Sequence, residues 1–286
     1  MATLPNPLPK LAADPSGRVL GLELPLPQGR LIDATDEGPW HEPLLWCADE
    51  PATPGAWTAV RPARRGAGLL PVLLDVGGGQ GGPEEWELTP GETSYPGDHD
   101  ADDVLAEFWD EYATAEDEEW PGLAEPPAPG PAPDPVDPVP GAPGTTTTAV
   151  VADPDALAAE TADALTKDPS RLREPRLALV PARRSADIPA AIGWTGPVNH
   201  ENDVARLCAV LRSWEDRFGI RVVALTYDQL VLSVAAPPTT EAEAAAVAAE
   251  HFAFCPDNIW QGTADGTRHS YAQTLLGEHT WSFWWD

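Results

Sequence analysis

The longest regular alternation of apolar and polar positions lies in the second half of the chain. Val204, Leu207, Cys208, Leu211, Trp214 and Phe218 recur at steps of three and four, one stripe of an α-helix, with Asn202 placed to cap its start and Gly219 to end it. Cys208 lies inside that stripe and is expected in the core. Ile220 to Leu225 and Leu230 to Val234 are β-rich runs, and Thr226-Tyr227-Asp228-Gln229 between them reads as a hairpin turn. Thr240-Glu241-Ala242-Glu243 has the spacing of a capping box and opens an alanine-rich helix expected to end near Phe252. Ser270 to Leu276 predicts a short helix closed by Gly277, after which Trp281, Phe283 and Trp285 alternate as a last strand with Trp284 on its other face. Upstream, Asp153-Pro154 opens an alanine-rich helix reaching about Thr166, and Arg176 to Val180 is a short apolar strand. Stripped of the extra helices, the succession from Arg176 is β-α-β-β-α-β, which predicts an α+β, ferredoxin-like arrangement: an antiparallel sheet with helices on one face.

The first half is less regular. Leu20, Leu22, Leu24 and Leu26 alternate within Val19 to Leu26, and Trp57 to Val60 and Leu69 to Val76 are further strand candidates. The glycine run Gly77 to Gly82 follows the last of these, but no Gly-Lys-Ser/Thr comes after it. Pro83-Glu84-Glu85 places negative charge where a phosphate would sit, so a surface loop is expected. Val104, Leu105, Phe108, Trp109 and Tyr112 recur at helical spacing inside Asp98 to Trp120, a stretch with eleven acidic residues and no basic one. That is an acidic amphipathic helix. Beyond Pro121 the composition turns to Pro, Gly and Thr through Thr148, a polyproline-like linker that cannot join a core. The expected organisation is an acidic mixed α/β domain over 1–120, a linker over 121–149 and an α+β domain over 150–286.

Charge narrows the range of functions. The formal net charge is -29, and residues 1–149 hold 6 basic against 27 acidic residues while 150–286 hold 11 against 19. Such a field repels nucleic acid and anionic membrane and steers basic proteins toward the surface. A basic protein is therefore the expected partner, although a charge run is also what an ordinary solvated face looks like. Lysine occurs only at Lys10 and Lys167, which fits a GC-rich bacterial genome. Cys47, Cys208 and Cys255 are widely spaced and form no CxxC pair, so reduced thiols are expected. With no leader-like start and no long apolar run, the expectation is a cytoplasmic protein.

Candidate chemistry gathers near the end of the chain. His251 precedes Cys255 by one helical turn, with Asp257 just beyond, and a neighbouring imidazolium can lower a thiol pKa enough to make a nucleophile. The negative end of the helix dipole opposes this, and a small thiol packed under Phe252 and Phe254 is the structural alternative. His251, Cys255, Asp257, His269 and His279 are all metal-ligand types, yet their spacing matches no zinc frame, so neither metal nor cofactor is expected. The 12 tryptophans outnumber 5 Phe and 4 Tyr together, and Trp260, Trp281, Trp284 and Trp285 cluster with the polar Glu250, Asn258 and Gln261. A His/Cys/Asp hydrolase-like or ligand site in a Trp-lined pocket is one reading. The leading one is a non-enzymatic binding protein of immunity or regulatory type.

Several ordered motifs resemble a known family. Leu211-Arg212-Ser213-Trp214-Glu215-Asp216-Arg217-Phe218-Gly219, Ala235-Ala236-Pro237-Pro238, Ala248-Ala249-Glu250-His251, Phe254-Cys255-Pro256-Asp257-Asn258, Gln261-Gly262 and Trp281-Ser282-Phe283-Trp284-Trp285-Asp286 are similar to the bacterial domain of unknown function 4253, in an actinobacterial type of sequence. Ile192-Gly193-Trp194 and Asn199 add to the likeness, which covers about residues 176 to 286. The resemblance implies a domain and a set of positions to test. It implies no activity, cofactor or catalytic residue.

Overall fold

Leu69-Leu70-Pro71-Val72-Leu73-Leu74-Asp75 has no polar residue before its last position and is buried along its whole length, which requires a strand covered on both faces. In the computed structural model, which describes residues 6–14, 18, 26–113, 119–127 and 152–285, this strand lies in the middle of a seven-stranded sheet. The first elements in chain order are α1 (Leu8–Ala13), β1 (Gly29–Ile32), the small ribbon β2 (Ala34–Thr35) and β3 (Gly38–Pro39), and β4 (Leu45–Ala48). They are followed by α2 (Ala56–Val60), α3 (Pro62–Ala67), β5 (Leu69–Asp75), α4 (Ala101–Tyr112), α5 (Pro154–Leu165) and β6 (Pro175–Pro181). The remainder is α6 (Ile188–Ile192), α7 (Val204–Phe218), β7 (Ile220–Leu225), β8 (Gln229–Val234), α8 (Glu241–Phe254), α9 (Asp257–Trp260), α10 (Arg268–Leu275) and β9 (Thr280–Trp284).

The sheet runs β1-β4-β6-β5-β7-β8-β9, antiparallel throughout except for the parallel pair β5 and β7. Alternate residues feed two cores. Leu45, Cys47, Leu70, Val72, Ala178 and Val180 join the larger cluster with α4, α7, α8 and α10, whereas Trp46, Ala48, Leu69, Leu73, Leu177 and Leu179 join the smaller one with α1, α2 and α5. Helices therefore cover both faces.

Two architectural expectations change. The strands and the two long helices from β6 onward follow the predicted order, with α6 and α9 added, but the sheet is not the ferredoxin-like arrangement with helices on one face. β5 occupies the place next to β6, and β6 is antiparallel to β5 while β7 is parallel to it, so the strands flanking α7 run in opposite directions. A split βαβ unit would need them parallel. The expected division into 1–120 and 150–286 also has no counterpart in the sheet, because β1, β4 and β5 interleave with β6 and β7. The larger cluster runs from Ile32 to Trp285, and Trp86, Val104, Phe108 and Trp109 pack in it beside Trp214 and Phe252. Gly193, at φ +66, shows how close the contact is: a Cβ there would meet Pro90 N at 2.2 Å. The first part of the expected linker corrects the reading that it cannot join a core, because Ala124 is buried in the larger cluster. Residues 128–149, the strand expected over Val19 to Leu26 except its last residue, and residues 114–118 of the acidic stretch lie outside the described residues.

Local corrections have local causes. Trp57 to Val60 is helical rather than extended: it forms α2 with both residues buried. Asp203, not Asn202, caps α7, its carboxylate accepting from Ala205 N at 3.1 Å, while Gly219 ends the helix in the left-handed conformation as expected. The Thr240/Glu243 capping box is present, but α8 runs to Phe254. Among the described residues no helix is long and apolar enough to cross a membrane.

Candidate functional site

α8 is apolar on nearly every side because alanines fill it, so it can lie between β9, α4 and α10, and its last turn is wholly inside the protein. Glu250 has no exposed surface. Its carboxylate accepts two hydrogen bonds from the Arg217 guanidinium at 2.7 Å each, one from Trp214 Nε1 at 2.6 Å and one from Ala124 N at 2.6 Å. Arg217 also donates to Ala124 O at 2.6 Å. A buried carboxylate survives only with partners of this quality, and four donors satisfy it. Glu250 is thus a brace between α7, α8 and residues 119–127 rather than a group presented to a ligand.

His251 is equally enclosed. Its ring sits 4.9 Å from Trp214, 4.5 Å from Trp281 and 4.8 Å from Phe283, centroid to centroid. Nδ1 shares a hydrogen bond with Tyr271 Oη at 3.0 Å, and Nε2 has no partner. Burial, reinforced by the Arg217 charge, pushes the His251 pKa down to about 3. Cys255 sits just past the end of α8, and burial pushes its thiol up to about 12. Its Sγ donates to Trp284 O at 3.0 Å and approaches Asn258 Oδ1 at 3.5 Å. A neutral imidazole and a protonated thiol, each bonded to a different neighbour, do not present a nucleophile to a substrate.

Asn258 holds the final strand. Nδ2 donates to Ser282 O at 2.7 Å and Oδ1 accepts from Trp284 N at 3.3 Å, so the side-chain amide stands where the next strand of the sheet would bond to β9. Trp281 and Trp285 are buried and Trp284 half-buried, in the alternation expected. Trp281 packs edge-on to Trp214, and Trp285 to Trp194. These tryptophans close a core and line no cleft. His269 and His279 are exposed on the surface, and among the described residues no group of three or more His, Cys, Asp or Glu comes together to hold a metal.

What remains open to solvent is different. Asp257 is half-buried and accepts from Gln261 Nε2 at 3.1 Å, and Trp260 is 47% exposed. The Trp260 ring stands edge-on to Tyr112 at 6.0 Å and to Phe252 at 5.7 Å. Tyr112 closes α4, and burial followed by the nearby Glu111 and Asp257 charges raises its pKa to about 12. His200 stacks on Tyr112 at 5.2 Å, its Nδ1 3.1 Å from the phenol, and burial lowers its pKa to about 4. The exposed indole thus stands on an aromatic base whose Tyr112 lies in the field of two carboxylates. Tyr112 and Trp214 were read from the sequence only as helix positions, and Trp214 and Arg217 as members of the motif at 211–219, none with a role in a site. Arg217 stands one turn after Trp214, a basic residue next to the apolar stripe of α7, and that is the one signal that could have pointed to a buried acid.

No curated protein and no solved structure matches the chain. Residues 176–286, from the second residue of β6 onward, match a family model described as Domain of unknown function (DUF4253).

Proposed function

We propose that the protein is a non-enzymatic binding protein that docks a basic partner protein, in the manner of an immunity or regulatory factor. The observation that carries this reading is Trp260, an indole 47% exposed and seated on Phe252 and on Tyr112, which feels the Glu111 and Asp257 charges. An arginine or lysine laid across such a ring gains from the aromatic face and from the carboxylates together. The surface extends along α4, where Asp102, Asp103, Asp110 and Glu111 are exposed while Val104, Leu105, Phe108 and Trp109 anchor the helix. In keeping with binding rather than catalysis, the thiol and imidazole with nucleophilic potential are enclosed and uncharged.

The test is capture from a native lysate on immobilised protein, at low and at high salt, with Trp260→Ala in parallel. A basic protein held at low salt, released at high salt and lost by the variant is the expected result. Capture of no basic protein, or equal capture by the variant, overturns the reading.

A further inference from the structure

The parallel ladder of β5 and β7 is confined to Leu73↔Ala224 and Leu74↔Leu225, near the carboxyl ends of both strands. Toward their amino ends the strands part. Pro71 has no N–H to give a ladder there, and the N–H of Val222 bonds to Ser185 Oγ at 2.8 Å, a side chain in place of a strand. The gap opens into a small crevice of about 50 Å3 that is partly open to solvent. Arg61, Arg64 and Arg221 line it together with Asp155.

Three of the chain's 17 basic residues therefore face one small space in a protein of formal net charge -29. Asp155 is the single carboxylate of the lining and takes Arg221 Nε at 2.6 Å and Arg64 Nη1 at 3.1 Å. Outside the lining, Glu215 lies 3.5 Å from Arg221 and Asp153 lies 3.7 Å from Arg61, the latter beyond hydrogen-bonding range. The Arg61 and Arg64 side chains are 39% and 41% exposed at the rim, whereas Arg221 is 16% exposed and held by Asp155 and Ile220 O. One carboxylate cannot use the donors of three guanidiniums. The first turn of α5, which carries Asp155, adds the positive end of a helix dipole.

We propose that this crevice binds a compact phosphate-class oxyanion, inorganic phosphate or a phosphomonoester, with Arg61 and Arg64 closing on it from the rim and Arg221 at the back. Arginine forks match the paired oxygens of phosphate, and a dianion uses donors that Asp155 leaves over. Asp155 occupies part of the site in the ligand-free chain and gives way in the bound one.

Calorimetric titration of the full chain at low salt with inorganic phosphate, glycerol phosphate and acetate tests this. Saturable one-site binding of phosphate or the monoester, tighter than acetate, is expected; the preferred one of the two identifies the source. Arg61→Ala with Arg64→Ala should weaken it about tenfold or more. Asp155→Asn, which removes the internal competitor and keeps its shape, should tighten it. No saturable binding, acetate bound as well as phosphate, or unchanged binding by the double variant overturns the proposal. Should the double variant fail to fold by circular dichroism, unchanged or weaker binding by Asp155→Asn overturns it instead.

Discussion

His251 and Cys255 are four residues apart, and on a continuing helix that spacing would put both side chains on one face. The helix ends one residue too soon: α8 stops at Phe254, and Cys255 has φ -156° and ψ 83°, which turns its sulfur toward β9. Sequence therefore showed which residues gather here but not that the helix end separates them. The identity of Cys208 as a core thiol was legible, because its stripe is long enough to fix a face. Burial of His251 has a consequence for acid stability. Its folded pKa, about 3, lies below the 6.5 of an exposed imidazole, so between these values the unfolded chain takes up a proton that the folded one refuses. His200, lowered to about 4, adds to this. Stability from both groups is complete above pH 6.5 and is lost as pH falls toward 3, by an amount on the order of a few kcal/mol. Thermal unfolding followed from pH 7 to 3.5 should show this decline, and His251→Gln should make it shallower; an equal slope in the variant would show that His251 is not its source.

At the scale of elements, long periodic segments were legible and short ones were not. α7 and β9 follow from their spacing, whereas Trp57 to Val60 is too short for period alone to separate strand from helix. In the Glu250 brace the Ala124 contact could not be read from sequence, since Ala124 lies 126 residues away and belongs to a stretch that composition assigns to a linker. The brace predicts a particular weakness. Glu250→Ala leaves Arg217, Trp214 Nε1 and Ala124 N without their acceptor and should cost about 3–5 kcal/mol in denaturant unfolding. Proteolysis near residues 119–127 should also accelerate in that variant, because the same substitution releases the segment from α7 and α8. Replacing Glu250 and Arg217 together by Leu should recover much of the loss; a double variant as weak as the single would refute the pairing account.

At the scale of the whole molecule, composition suggested a boundary that the strand order crosses. The proline-rich stretch begins at Pro121, yet Ala124 within it is buried in the larger core, and which strands pair across it depends on contacts a hundred residues apart that no local pattern encodes. The two sides should therefore stay together after a cut. With a protease site placed between residues 130 and 145, the cleaved protein should elute as one species on gel filtration, and residues 150–286 expressed alone should aggregate; separate elution of two folded fragments would contradict the shared sheet. The position of β5 bears equally on biosynthesis. Both of its neighbours, β6 and β7, are encoded downstream, β6 about a hundred residues later. At ribosomal speeds this segment, apolar up to its last residue, leaves the exit tunnel roughly 5–20 s before its first partner exists. Only Pro71, which resists edge pairing, and the charge of Asp75 guard it against self-association in that interval.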